Sequence, residues 1–125
     1  MKVLIVDDSS VIRKIIKATA DVLRMETIEA QDGVEALEIL EQHYQEINLV
    51  LLDWNMPEKS GFEVLVEMKS TEKYQHIPVM MVTTESQKSN IVAAIRAGAD
   101  NYLTKPFTAP ELEAKILECI GGESV

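Results

Sequence analysis

A doubly wound α/β sandwich, (βα)5 in chain order around a parallel five-stranded sheet, is the fold class this sequence predicts. Three observations carry that expectation. Short apolar runs alternate with longer stretches of helical periodicity five times along the chain. Parallel strands need right-handed crossovers, so five such units place helices on both faces of one sheet and make three layers. Four of the runs end in polar residues, Asp7 and Asp8, Asp53, Thr83 and Lys105, which would line up along the edge where open sheets of this kind bind ligands.

Lys2 to Val6 reads as a buried strand, and Ser9 to Arg24 as a helix with Ile12, Ile15, Ile16, Thr19, Val22 and Leu23 on one face. Glu26 to Ala30 is a weaker strand, and the turn signal Asp32-Gly33 leads from it into a helix presenting Val34, Leu37 and Leu40. The third strand is Leu49 to Leu52, followed by a loop containing Pro57 and a helix from about Gly61 to Met68. Val79 to Val82 is the fourth strand; its helix runs through Ile91, Val92, Ala94 and Ile95, with Gly98 placed to cap it. Tyr102-Leu103-Thr104 forms the last strand. Thr108-Ala109-Pro110-Glu111 then matches a capping box with proline in the first turn, opening a helix striped by Leu112, Ile116, Cys119 and Ile120. Strand two alone ends without a member of the polar set, which favours the flavodoxin-like order 2-1-3-4-5, with the crevice between strands one and three.

At 125 residues and with neither linker nor repeat, the chain is expected to be one domain, 1–125, without an output domain. Hydrophobic residues at 46% and charged residues at 26% match ordinary globular chains rather than disordered ones. The net charge of -9, with no cluster of Lys or Arg, argues against nucleic acid as a partner. No apolar stretch approaches the ~20 residues that cross a bilayer, and the first ten residues lack a secretory signal, so a cytoplasmic protein without membrane insertion is expected. The single cysteine, Cys119, cannot form an internal disulfide and reads as inert core. His43 and His76 read as surface residues, and Met80 and Met81 as strand core.

Three carboxylates gathered at one strand edge need a positive charge among them. Mg²⁺ suits the set, since it takes hard oxygen ligands from one or two carboxylates together with phosphate oxygens. A carboxylate such as Asp53 is also a competent nucleophile toward phosphorus. Lys105, the Thr83 hydroxyl and loop amides after Asp53 and Thr83 would supply charge and donors to the transferring group; Thr84 is the rival hydroxyl.

Val-Asp-Asp at 6 to 8, Leu-Asp-Trp-Asn-Met-Pro at 52 to 57 followed by Gly61, Val-Thr at 82 and 83, and Lys-Pro-Phe at 105 to 107 resemble the receiver domain of two-component response regulators. Asp53-Trp54-Asn55-Met56-Pro57, Asn90-Ile91 with Ala93-Ala94, and Lys105-Pro106-Phe107-Thr108 are similar to the single-domain chemotaxis regulators within that family. The resemblance implies a signalling phosphoacceptor, rather than an enzyme with an external substrate, that takes a phosphoryl group from a histidine kinase onto Asp53. It implies Mg²⁺ bound by Asp8, Asp53 and the Asn55 carbonyl, with Asp7 acting through a bound water. Lys105 would pair with Asp53 or the phosphoryl group, Thr83 would move to bond a phosphoryl oxygen, and Tyr102 would turn inward as it does so. A cis peptide between Lys105 and Pro106 and, from Asn55 and Glu85, rapid self-dephosphorylation are also implied. Ser60 departs from the family pattern, in which an acidic or amide residue often precedes the glycine.

The implied output is a face built from helix four, strand five and helix five, including Lys88, Ile91, Ile95, Tyr102 and Lys115, which a monomer would present to a flagellar switch or another effector. The alternative within the same fold is a phosphorelay intermediate that passes its phosphoryl group to another histidine. An aspartyl-phosphate hydrolase of the haloacid dehalogenase type is disfavoured, because Asn55 stands where that class expects a second acid.

Overall fold

A computed structural model of the protein describes residues 1–121, so the last four residues of the expected 1–125 domain lie outside the described residues. Five strands and five helices alternate: β1 (Lys2–Val6), α1 (Ser10–Val22), β2 (Glu26–Ala30), α2 (Gly33–His43), β3 (Ile47–Leu52), α3 (Gly61–Lys69), β4 (Val79–Thr83), α4 (Lys88–Arg96), β5 (Asn101–Thr104) and α5 (Ala109–Cys119). The strands form one sheet in the order β2-β1-β3-β4-β5, and every neighbouring pair is parallel.

The three central strands, β1, β3 and β4, are apolar along most of their length because both faces of the sheet are covered. Side chains alternate between the faces along each strand. Leu4, Val6, Val50 and Leu52 therefore join Leu40 of α2, Leu65 and Met68 of α3 and Ala94 of α4 in one core. Val3, Ile5, Leu49 and Leu51 join Ile16 and Ala20 of α1 and Leu112 and Ile116 of α5 in the other.

The helix faces differ in part from their expected stripes. In α1, Ile16, Thr19 and Ala20 are buried and Ile12 and Leu23 pack beside them, whereas Ile15 is 47% and Val22 70% exposed. Only one side of an outer-layer helix meets the sheet, and Ile15 lies about 100° around the helix from Ile16, outside that contact. In α2 the buried residues include Ala36 and Leu40, while Val34 is exposed. In α4 only Ala94 is buried, and Val92 and Ile95 face outward.

Asp32 is the N-cap of α2, its carboxylate accepting the Glu35 N–H at 2.8 Å, and not merely a turn former. Gly98 follows the α4 C-cap residue Ala97 with φ +113°, a conformation that strains any residue with a Cβ. At α5 the capping box is complete: the Glu111 N–H donates to the Thr108 hydroxyl, and the Glu111 carboxylate accepts from the Thr108 N–H at 2.8 Å. β3 and β5 begin before their expected starts, and β4 runs on to Thr83, because ladder pairing with neighbouring strands extends past the apolar runs.

Candidate functional site

The carboxyl ends of β1 and β3 are adjacent, and this register brings the acids together. Val6 pairs with Leu52, and the next residue on each strand is Asp7 and Asp53. One carboxylate oxygen from each of Asp7, Asp8 and Asp53 lies within 4.8 Å of the others. Asp7 and Asp53 are buried, whereas Asp8 is exposed at the mouth.

Lys105, carried in by the turn after β5, reaches both buried acids. Its Nζ lies 2.7 Å from Asp7 Oδ2 and 3.4 Å from Asp53 Oδ2, so the tighter ion pair is with Asp7. The other Asp7 oxygen, Oδ1, accepts the Ser9 N–H at 2.9 Å. Asp7 is thus occupied at both oxygens, and Asp53 is not: its Oδ1 is buried with no hydrogen-bond partner among the described residues. Burial pushes the Asp53 carboxyl above its ordinary range and the Asp7 charge adds to the rise, while the Thr83 hydroxyl and the Lys105 ammonium oppose it.

These residues fit a divalent cation. Three carboxylates against one ammonium leave an excess of two negative charges. The donors are all hard oxygens, and the buried Asp53 Oδ1 needs a partner that the protein does not supply. Asn55 lies in the loop after Asp53, at the exposed surface.

Thr83 ends β4 fully buried, and its Oγ1 accepts the Glu85 N–H at 3.3 Å; Thr84, the other hydroxyl considered, is exposed. Tyr102 on β5 is half-buried, and its phenol donates to the Glu85 carbonyl at 2.6 Å. Burial raises the Tyr102 pKa, and the Glu85 and Asp53 charges add to it. The peptide bond between Lys105 and Pro106 is cis, as expected, and the Lys105 N–H donates to the Thr83 carbonyl at 2.9 Å.

Gly61 shows why the loop after Asp53 must end in glycine. A Cβ there would lie 1.9 Å from the Asp53 carbonyl oxygen, and the Gly61 N–H donates to the Trp54 carbonyl at 2.8 Å. Absence of a side chain lets the start of α3 rest on the backbone of Asp53 and Trp54, and the stack of Trp54 on Phe62, 5.0 Å between centroids, holds the outer side of the loop. Ser60 caps α3 in a full capping box with Glu63, so the departure from the family pattern serves the helix.

Sequence reasoning missed Arg13 and Glu29. Arg13 Nη1 donates to the Asp7 carbonyl at 2.6 Å, and its Nε to Glu29 Oε1 at 2.9 Å. The available signal was an arginine in the second turn of α1, six residues after Asp7, where a long side chain reaches back over the helix start. Away from the acids, a hollow of about 440 Å³ on α2 is lined by Val34, Leu37, Glu38, Glu41, Gln42 and Lys59. The acid cluster itself lies at an open edge. His76 is exposed, as expected; His43 is half-buried with its Nδ1 3.1 Å from Glu46. Cys119 is partly buried beside the α1 and α5 core, and burial pushes its thiol up to about 11.

Residues 3–117 match the family model of the response regulator receiver domain. Among curated proteins, the chain is 41% identical over 122 residues to a chemotaxis protein CheY homolog of Campylobacter jejuni, covering 97% of this chain and 93% of that protein. It is also 41% identical to chemotaxis protein CheY1 of Helicobacter pylori, covering 97% of this chain and 98% of that protein. Among solved structures, Vibrio cholerae chemotaxis protein CheY4 superposes with a TM-score of 0.87 at 31% identity, covering 94% of this chain and 97% of that one. The order β2-β1-β3-β4-β5 is the one by which CheY itself is known, so it agrees with these likenesses without adding an independent test. No helix among the described residues is long and apolar enough to cross a membrane. With a family match over residues 3–117, close relatives over nearly the whole chain and an acid cluster at the expected strand ends, the chain belongs to the response regulator receiver domain family, homologous to the CheY chemotaxis regulators.

Proposed function

We propose that the protein is a phosphorylation-driven switch in which Asp53 accepts a phosphoryl group from the phosphohistidine of a histidine kinase. The observation that carries this reading is the buried, unpartnered Oδ1 of Asp53 between Asp7, Asp8 and Lys105. A carboxylate oxygen of Asp53 attacks phosphorus, the bond from phosphorus to the histidine nitrogen breaks, and an aspartyl phosphate forms. Asp8, Asp53 and the Asn55 carbonyl would hold Mg²⁺, with Asp7 acting through a bound water, and the bound cation would supply positive charge beside the acids and the phosphoryl oxygens. Lys105 turns from the acids toward the new phosphoryl oxygens.

The output rests on Glu85. Thr83 accepts its N–H and Tyr102 donates to its carbonyl, so both side chains grip one residue. When Thr83 moves to bond a phosphoryl oxygen it gives up the Glu85 N–H, and the acceptor that holds the Tyr102 phenol shifts with it. Tyr102 then turns inward and reshapes the face of α4, β5 and α5, where Val92, Ile95 and Leu117 are exposed for a partner. The partner is the flagellar switch or another effector in chemotaxis, engaged by a cytoplasmic monomer, and the Asn55 and Glu85 side chains suit a short-lived phosphoryl group.

Trp54, the single tryptophan, adjoins Asp53 and reports both steps by fluorescence during titration with Mg²⁺ and then acetyl phosphate. Asp53→Asn abolishes the phosphodonor response and the phosphoryl mass adduct while the fold persists, and Asp8→Ala greatly weakens the Mg²⁺ response. A phosphoryl adduct on the Asn variant would assign the acceptor elsewhere.

A further inference from the structure

β2 contributes no residue to the acid cluster, yet its end is tied to the cluster through α1. Arg13 spans the two. Its Nη1 donates to the Asp7 carbonyl at 2.6 Å while its Nε is paired at 2.9 Å with Oε1 of Glu29, the residue before β2 ends at Ala30. The Asp7 N–H in turn donates to the Ala30 carbonyl at 3.1 Å, and Asp7 Oδ1 takes the Ser9 N–H. Ala30 therefore holds the peptide preceding Asp7 and the Ser9 N–H holds the Asp7 side chain, while Arg13 holds the carbonyl in the plane of the peptide joining Asp7 to Asp8. Asp8, exposed and one bond further along, has its direction set by that plane, because nothing else described grips its carboxylate.

The chemistry of the clamp is specific to arginine. A guanidinium presents several donors in a rigid plane, so one group satisfies a carbonyl and a carboxylate at a fixed angle. A lysine ammonium is a point charge on a flexible stem and does not hold that angle. The side chain is mostly covered, at 16% exposure, which shelters its contact with the Asp7 carbonyl, while Glu29, 37% exposed, stays partly in water. An orphaned Asp7 carbonyl would be free to rotate its peptide and swing Asp8 off the position shared with Asp53.

We infer that Arg13, held by Glu29, is a positioning residue for cation binding: it orients the Asp7–Asp8 peptide so that Asp8 converges with Asp53. It touches neither the cation nor the phosphoryl group. This inference rests on the phosphoacceptor reading above.

The test compares Mg²⁺ affinity, read from Trp54 fluorescence, in the full chain and in Arg13→Ala, Arg13→Lys and Glu29→Gln, with urea unfolding of each. Partners one step removed from a cation commonly change its affinity about 10-fold or more. Arg13→Ala is expected to weaken Mg²⁺ about 10-fold, with Arg13→Lys and Glu29→Gln between it and the parent. In the metal-free protein, hydrogen exchange of the Ser9 amide speeds up in Arg13→Ala. Ile116→Val, in the α5 core, lowers stability without moving either readout, which separates positioning from a general loss of stability. Should Arg13→Ala fold poorly, the lysine and glutamine variants carry the comparison. Parent-like Mg²⁺ affinity in all three site variants overturns the role of Arg13 and leaves the phosphoacceptor reading standing. No Mg²⁺ response in the parent overturns both.

Discussion

Asp53 sits between opposed influences, and the balance sets how its protonation couples to folding. Burial raises its folded pKa above the ordinary 3.8, and the repulsion of Asp7 adds to this, against Thr83 and Lys105. For an acid whose folded pKa is raised, the folded state binds the proton more tightly than the unfolded chain does. Its favourable contribution is therefore present at low pH and is lost as pH rises through the folded value. In the metal-free protein, Asp53→Asn is expected to be more stable than the parent at pH 7, and the difference shrinks toward zero as pH falls below 3.8, where both side chains are neutral. Lys105 keeps its 2.7 Å partner Asp7 in the variant, so no unpaired ammonium offsets the gain. Urea unfolding at several pH values measures it; a variant less stable than the parent at pH 7 would contradict the account. The identities of Asp7, Asp8, Asp53, Thr83 and Lys105 were legible in the sequence because each closes an apolar run. Which oxygen stays unpartnered was not legible, since it depends on where Lys105 and the Ser9 N–H come to rest.

At the scale of elements, the loop from Asp53 to α3 is held by a contact that tolerates no side chain. Gly61→Ala places a Cβ 1.9 Å from the Asp53 carbonyl oxygen, and the backbone must move. Relief of such overpacking leaves the protein destabilised by about 2 kcal/mol or more. The Mg²⁺ affinity falls as well, because the shifted atoms belong to Asp53 itself. Unfolding midpoints and the Trp54 titration check both effects, and parent-like values in each would show that the helix start relaxes without disturbing the acid. Caps were the most readable parts of the elements: Thr108 with Glu111 and Gly98 stand where the sequence placed them, because caps are local hydrogen-bond patterns. Helix faces were less readable. Ile15, Val22 and Val34 are apolar but exposed, and periodicity alone does not say which side of a wide apolar stripe meets the sheet. Among the described residues two besides glycine adopt positive φ, Arg24 at 61° and Glu58 at 69°, and neither position carried a glycine or asparagine to announce it.

Over the whole molecule, with a net charge of -9 and three acids at one edge, a cation bound as proposed would be a source of stability as well as of chemistry. A ligand that binds only the folded state stabilises it by about 1.4 kcal/mol at ten times its dissociation constant. Mg²⁺ at that level is expected to shift unfolding of the parent by this amount, and to leave Asp8→Ala nearly unmoved. Equal shifts in both proteins would place the cation elsewhere.

The alternation of apolar runs and helical stretches by itself determined five βα units, and the single strand lacking a polar end favoured the order β2-β1-β3-β4-β5 that the sheet adopts, because handed crossovers leave few ways to arrange parallel strands. It determined as well which side chains meet at the sheet edge. Only the tertiary structure decided that Lys105 pairs more closely with Asp7 than with Asp53, that Thr83 and Tyr102 converge on Glu85, and that Arg13 ties the end of β2 to the acids. Apart from the Thr83–Glu85 bond, which spans two positions, those contacts join residues 17 to 98 positions apart or turn on the rotamer of one long side chain, and no local pattern encodes either.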